Sequence, residues 1–422
     1  MGERVTAKAG RDAAPPVREH LRLVAGPKEL RHGKSASIVA RRDLLLLSVC
    51  AGFLTASGLV MVLSAGSVSA AQGYDGNPFW YFQRQGIYAL VGIAGAVLVS
   101  RMPPSVWRRL SVPFLIVTAG LMLIAAHPTA GTSFYGASRW IDLGPVTLQP
   151  SEFAKLALVV FAATILARKW QRLDEPTHLL LPLAPAVGAV AVLGVMQQDM
   201  GTTVILCGSV FLLLFAAGVR MRYLTVVGLL GLLGGAAMIA GEAYRRTRLF
   251  DAWLNPWADP QSTGYQLIQG LIAFGSGGWF GTGLGNSRAK WDFLPNAHSD
   301  FIFAVIGEEL GLLGGFVVLL AFGGLILAGI RIAVHATDRF ERLLAAGIVS
   351  WIGLQAIVNL GAVTGLLPIT GVPLPLVSFG GTALVVTLAG IGVLASIARQ
   401  QTGRPGTRGA ARGRVATGKA DG

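Results

Sequence analysis

The chain has 422 residues, of which 53% are hydrophobic and only 13% charged, with a formal net charge of +14. Soluble domains carry about a quarter charged residues, so this composition excludes an ordinary soluble enzyme and reads as a chain immersed in lipid. The charge does not point to nucleic acid: residues 1–42 hold ten Lys/Arg against four Asp/Glu, and residues 399–422 hold six against one.

The N-terminal stretch 1–42 and its C-terminal counterpart 399–422 are rich in Gly, Ala, Pro and Arg. They read as disordered basic tails lying against anionic headgroups. Between them, the polytopic body 43–398 yields ten apolar segments of spanning length, at 44–65, 81–100, 110–126, 151–167, 179–196, 202–219, 223–241, 303–330, 343–367 and 381–398. The fold class is therefore an all-α integral membrane protein of about ten transmembrane helices. The first apolar run is long enough to span, so no cleavable signal peptide is apparent. Cys50 and Cys207 sit in separate apolar runs, without disulfide or metal spacing. An even number of spans puts both tails on one side, and 27 of the 35 basic residues then share that side. By the positive-inside bias both termini are cytoplasmic.

In chain order, the first polar signal between spans is Arg139-Trp140, a cation beside an aromatic face. It suits a diphosphate or sugar, and equally the bilayer interface. Glu152 and Lys155 open the fourth span at i,i+3 pairing geometry. They read either as a buried ion pair or as the lining of a polar substrate cavity, to which Asp199 also belongs. The loop 242–299 is the longest link between spans, on the extracytoplasmic side. It carries Arg245, Arg246, Arg248, Arg288 and Lys290 against the usual topology bias, which suggests an anionic ligand, with headgroup anchoring or pairing to Glu242, Asp251, Asp259 and Asp292 as the alternative. Tryptophans 253, 257, 279 and 291 suggest an ordered loop. Within it, Tyr265–Ser287 is apolar but broken by glycine, and reads as a re-entrant or interfacial element whose backbone must be covered.

The eighth span begins with His298, Asp300, Glu308 and Glu309 at the mouth of, and inside, an apolar helix. Ionisable groups there are costly and mark function or structural pairing. Asp300 is a candidate general base, with a helix N-cap as the competing role. Glu308 and Glu309 lie about two turns inward and read as paired structural charges. Gly307, Gly311 and Gly315 recur every four residues and read as close helix packing. Pro368, Pro373 and Pro375 shape an outer loop and partly broken helix around Val372–Ser378.

FLPNAHSDFIFAVIGEELG (Phe293–Gly311) closely resembles a signature of the SEDS family, the polytopic membrane proteins that include FtsW and RodA. SRWIDLGPVTLQPSEFAK (Ser138–Lys155), QQDMGT (Gln197–Thr202), LNPWADPQSTGYQLIQ (Leu254–Gln269) and NLGAVTGLLPITGVPLPLVSFGG (Asn359–Gly381) extend the resemblance over residues 44–400. IGEELG is more similar to the FtsW branch than to the RodA branch. Ser299 stands where the family has Thr, Asn296 where Glu is common, Gln198 where Pro is usual, Gly270 where Ser is common, and Thr382-Ala383 where a Ser pair is usual.

The resemblance implies a peptidoglycan glycosyltransferase of the bacterial cytoplasmic membrane that polymerises lipid II at its outer face. It implies a β-1,4 linkage, release of undecaprenyl diphosphate, and a place at the division septum. It implies Asp300 as the catalytic residue, with substrate contacts from Arg139, Trp140, Glu152, Lys155, Asp199, Arg245, Arg248, Gln269, Lys290, Asp292, His298 and Ser378. A class B penicillin-binding transpeptidase and other divisome membrane proteins are the implied partners of a chain that also handles the nascent glycan strand. No organic cofactor is expected, and a divalent cation (Mg or Mn) is an open requirement.

The chemistry agrees. An acceptor hydroxyl must lose its proton as it attacks an anomeric carbon, which one carboxylate within about 3 Å can accomplish. A lipid diphosphate leaves without protonation but needs its charge neutralised by cations. A lipid II flippase and a non-catalytic scaffold that recruits a transpeptidase are the competing readings.

Overall fold

The computed structural model describes residues 33–403, apart from 128–131, 135–136, 145, 174, 242–245 and 248. Its main helices are α1 (Gly33–Gly73), α2 (Trp80–Arg101), α3 (Pro104–Ala126), α4 (Pro150–Arg168), α5 (Pro176–Met196), α6 (Met200–Ala216), α7 (Met221–Ala240), α8 (Tyr265–Ser276), α9 (Ile302–His335), α10 (Arg339–Val363) and α11 (Gly381–Gly403). Eight of these are long and apolar enough to cross a membrane, and Leu181–Met196 and Met200–Ala216 are shorter apolar helices. Each of the ten expected segments falls on one of these ten helices, while α8 is the apolar element inside the long loop. The N-terminal tail is shorter than expected: residues 33–42 belong to α1, and residues 399–403 extend α11. Residues 1–32 and 404–422 lie outside the described residues.

Local sequence explains where several helices start. Proline opens α3, α4 and α5, where its missing N–H costs nothing and its φ is already helical. Asp199 caps α6 by accepting from Thr202 N, and Asp338 caps α10 by accepting from Phe340 N and Glu341 N. Helices α4, α10 and α11 form the centre, with 78%, 72% and 72% of their spanning windows buried, whereas α7 is peripheral at 6%. Strands β1 (Thr132–Phe134), β2 (Ala137–Asp142) and β3 (Thr147–Leu148) form a small antiparallel sheet in the order β1-β2-β3. Hydropathy carried no sign of it.

The alternating spans bring this sheet, the loop 246–299 and the segment 364–380 to one end of the bundle, opposite the chain ends. Two irregular segments enter the bundle there. The first is 277–283, which fits a break in α9 at Gly311 (φ 70, ψ −171). The break is filled by reciprocal main-chain bonds: Thr282 N to Glu308 O (2.9 Å), Gly283 N to Glu309 O (3.0 Å), Leu312 N to Gly278 O (2.9 Å) and Leu313 N to Trp279 O (3.2 Å). The glycine-rich stretch thus has its backbone bonded into the α9 break, while Trp279 and Phe280 stay exposed. Gly311 is thus a break whose backbone packs directly on that of Trp279 and Gly281, while Gly307 packs on Phe274.

The second segment, 366–380, has no helix; it is extended or turned throughout, which corrects the expected broken helix. Residues 374–378 are buried. A side chain at Gly58 of α1 would stand 2.7 Å from Leu376 O and Val377 Cα. Glycine is required there because the segment lies directly on the α1 backbone.

Candidate functional site

The site is built where the second segment meets the start of α9. Asp300 is half-buried in a turn, two residues before α9 begins. Phe301 holds the N-cap position, and its own side chain makes no cap bond. Its carbonyl accepts from Asn359 Nδ2 at 2.8 Å, the Ser299 carbonyl accepts from Ser378 Oγ at 2.5 Å, and the His298 carbonyl accepts from Phe379 N at 3.0 Å. The three residues of the His-Ser-Asp motif are thus pinned through their main chain.

His298 stacks on Tyr81 with ring centroids 4.1 Å apart and meets Phe379 edge-on at 5.8 Å. Burial against these rings pushes its pKa down to about 4, because a low-dielectric surround disfavours the charged imidazolium. Around neutral pH it is an uncharged imidazole. Trp80 extends this aromatic group, stacked on Tyr74 at 3.6 Å with the Arg84 guanidinium 4.5 Å from its centroid.

Several predicted contacts turn out to be internal fastenings. Glu152 and Lys155 form a buried ion pair (Nζ to Oε2 2.7 Å), each side chain 1% exposed. Lys155 Nζ also donates to Gln355 Oε1 at 2.8 Å, and Gln355 Nε2 donates to Pro373 O at 2.9 Å. The pair therefore supports the 372–378 segment and does not itself line an open cavity. Asp199 is 2% exposed. It accepts from Ser151 Oγ at 3.2 Å and lies 3.6 Å from Arg139 Nη1. Arg139 also donates to Gln198 O at 2.7 Å, which secures β2 to the start of α6. Trp140 lies beside it on β2, half-buried. The Ser378 hydroxyl is spent between Ser299 O and Leu374 N. Glu152, Lys155, Asp199 and Ser378 are thus buried and bonded within the fold, not open to a substrate in this structure.

On the long loop, Lys290 Nζ donates to Gly285 O, and Asp292 accepts from Ser69 Oγ of α1 at 3.3 Å. Gln269 is half-buried on α8. Arg245 and Arg248 lie outside the described residues. Glu308 and Glu309 are buried, but no cation pairs with them among the described residues, contrary to expectation. Glu308 instead accepts from Ser287 Oγ, Arg288 N (2.9 Å) and Ala289 N (3.3 Å), and Glu309 from Ser64 Oγ (2.6 Å) and Ser287 N (3.3 Å). They fasten the loop to α9.

The sequence reading missed Gln355 and Asn359. Two amides one helical turn apart in an apolar span were the available signal, because a buried amide needs specific partners.

The family model FTSW_RODA_SPOVE, described as "Cell cycle protein", matches residues 44–403. The "Probable peptidoglycan glycosyltransferase FtsW" of Geobacter metallireducens is 42% identical over 367 residues, covering 87% of this chain and 97% of that protein. "Stage V sporulation protein E" of Bacillus subtilis is 38% identical over 357 residues, covering 85% and 97%. Among solved structures, a chain from "Structural coordination of polymerization and crosslinking by a peptidoglycan synthase complex" is similar with TM-score 0.69 and 28% identity, covering 85% of this chain and 98% of that one. The rod shape determining protein RodA of Thermus thermophilus is similar with TM-score 0.61 and 27% identity, covering 84% and 96%.

Proposed function

The chain belongs to the FtsW, RodA and SpoVE family, and from that premise we propose that it is a peptidoglycan glycosyltransferase that polymerises lipid II, with Asp300 as general base. The observation that carries the assignment is the placement of Asp300. It stands half-buried just before α9, with Phe301 and not Asp300 at the N-cap position. Its turn is held by three hydrogen bonds to main-chain carbonyls, two of them from side chains, which suits a base that must keep its geometry through the reaction.

In the proposed step Asp300 accepts the proton of the acceptor sugar hydroxyl. The hydroxyl oxygen forms the new glycosidic bond to the anomeric carbon. The bond from that carbon to the diphosphate oxygen breaks, and undecaprenyl diphosphate leaves with the electron pair. Lys290 and the exposed Arg288 stand on the loop that precedes Asp300. An ammonium has three donors, so the bond from Lys290 to Gly285 O leaves two for a phosphate. Mg²⁺ is commonly held by one or two carboxylates plus substrate phosphates. Among the described residues no three His, Cys, Asp or Glu ligands cluster, so a cation bound in that mode would rest mainly on the substrate phosphates.

The same reading places the loop 242–299 outside the cytoplasmic membrane, both tails in the cytoplasm, and the protein at the septum. Its partners are a class B transpeptidase and other divisome membrane proteins, a reading supported by the likeness to a chain of a peptidoglycan synthase complex. Labelling from outside of a cysteine at Ser262, but not of one at Ser35, checks the orientation in sealed cells. Asp300→Asn tests the chemistry. Purified with its transpeptidase and given labelled lipid II, it should make no polymer while binding lipid II like the unsubstituted protein. Near-normal polymerisation would falsify the base assignment.

A further inference from the structure

Of the three donors that pin residues 298–300, Asn359 has a distinct place. Its amide gives one hydrogen to Asp300 O and the other to Val372 O, both at 2.8 Å. One side chain, 2% exposed, therefore ties Asp300 directly to the segment that carries Ser378 and Phe379. The orientation of the amide is determined, because turning it over would set its oxygen against two carbonyls. Its Oδ1 has no hydrogen-bond partner among the described residues. Buried amide oxygens are seldom left so. The side chain is thus committed to its two donor contacts at the expense of its acceptor.

One turn earlier on α10, Gln355 donates to Pro373 O at 2.9 Å and accepts from Lys155 Nζ (2.8 Å) and Trp351 Nε1 (3.0 Å). Gln355 and Asn359 therefore hold consecutive carbonyls, Pro373 and Val372, of one buried segment. The Glu152–Lys155 pair locks Gln355, and Asn359 carries the connection on to Asp300. The direction of the Asp300 carbonyl fixes the plane of the peptide that joins it to Phe301. With His298 O and Ser299 O also held, the turn has little freedom to swing the Asp300 carboxylate.

We infer that Asn359 is a positioning residue for glycosyl transfer: its two-donor bridge between Asp300 O and Val372 O sets where the Asp300 carboxylate stands relative to the acceptor hydroxyl. This rests on Asp300 being the general base. Asn359 acts through Asp300 and takes no proton itself. A misplacement of about 1 Å at a reacting group costs about 10²-fold in rate, and the bridge acts on the turn and not on lipid II. The effect should therefore fall on kcat and not on binding.

The test uses Asn359→Asp and Asn359→Ala beside Asp300→Asn, in the purified protein with its transpeptidase, with polymerisation of labelled lipid II, lipid II binding and thermal unfolding all measured. Asn359→Asp keeps the size but replaces the donor with an acceptor, so it remains informative if Asn359→Ala does not fold. The expected result is a fall in kcat of about 10- to 100-fold with the lipid II dissociation constant essentially unchanged. An unchanged kcat, a parallel loss of binding, or failure of both variants to fold would each overturn the positioning role. Failure of the base reading is seen separately: an active Asp300→Asn rejects the base, whereas an inactive Asp300→Asn beside an active Asn359→Asp rejects only the inference about Asn359.

Discussion

Glu152 and Lys155 face each other across one turn of α4, with 2.7 Å between Oε2 and Nζ and 1% of each side chain exposed. Few lysines are so completely buried, and this one also hydrogen-bonds Gln355 and lies 5.6 Å from the Trp351 ring centroid. Two charges taken out of water repay their desolvation only when they are paired and further hydrogen-bonded. The pair therefore holds together as a unit, and its output is the position of Gln355 and the carbonyl that Gln355 grips.

Breaking that unit from one side should be costly. Lys155→Met leaves Glu152 buried without its cation and is expected to destabilise the protein by about 3–5 kcal/mol. The double substitution Glu152→Gln with Lys155→Met should recover much of this loss. Thermal unfolding in detergent, analysed as a double-mutant cycle, checks the coupling. Strictly additive losses would show that the two side chains do not act on each other.

His298 gives a pH prediction. Its folded pKa is lowered to about 4 by burial, against about 6.5 in an unfolded chain. The unfolded state therefore binds the proton more readily, and acid favours unfolding. The stability associated with neutral His298 is fully present above about pH 6.5 and is lost as pH falls from 6.5 toward 4. His298→Phe keeps an aromatic ring against Tyr81 and cannot titrate. Its melting temperature should fall less between pH 7.5 and 5 than that of the unsubstituted protein. Equal falls in the two proteins would mean that His298 is charged in the fold, or that other groups govern the acid response.

Glu308 predicts how the long loop is held. Glu308→Ala removes the acceptor of Ser287 Oγ, Arg288 N and Ala289 N. A buried donor left without a partner costs about 1–3 kcal/mol, so the 285–292 stretch should open far more often. Hydrogen exchange at Arg288 and Ala289 should accelerate by tenfold or more, which corresponds to about 1.4 kcal/mol. Unchanged exchange would show that the main-chain bonds across the Gly311 break hold the loop without the carboxylate.

Much of the architecture was legible in the chain. Spanning helices depend on the sum of apolar side chains over about twenty consecutive residues, a local quantity that hydropathy reads directly. The ordered loop with its glycine-rich piece was legible for a related reason: too many glycines interrupt Tyr265–Ser287 for a clean span, and too many aromatic residues surround it for a loose tether. Asp300 stood out because a carboxylate at the mouth of an apolar helix is expensive.

Which partner each polar side chain takes is seen only in the tertiary structure. The partners are far apart in sequence: Ser64 meets Glu309 across 245 residues, Lys155 meets Gln355 across 200, and Asn359 meets Asp300 across 59. A helical wheel places Asp300, Glu308 and Glu309 on one continuous helix, yet Asp300 lies before the helix starts and Gly311 breaks it soon after the two glutamates. Composition and periodicity record how much a segment gains by leaving water. They carry no information on which distant carbonyl will meet which buried amide, and the position of Asp300 depends on that pairing.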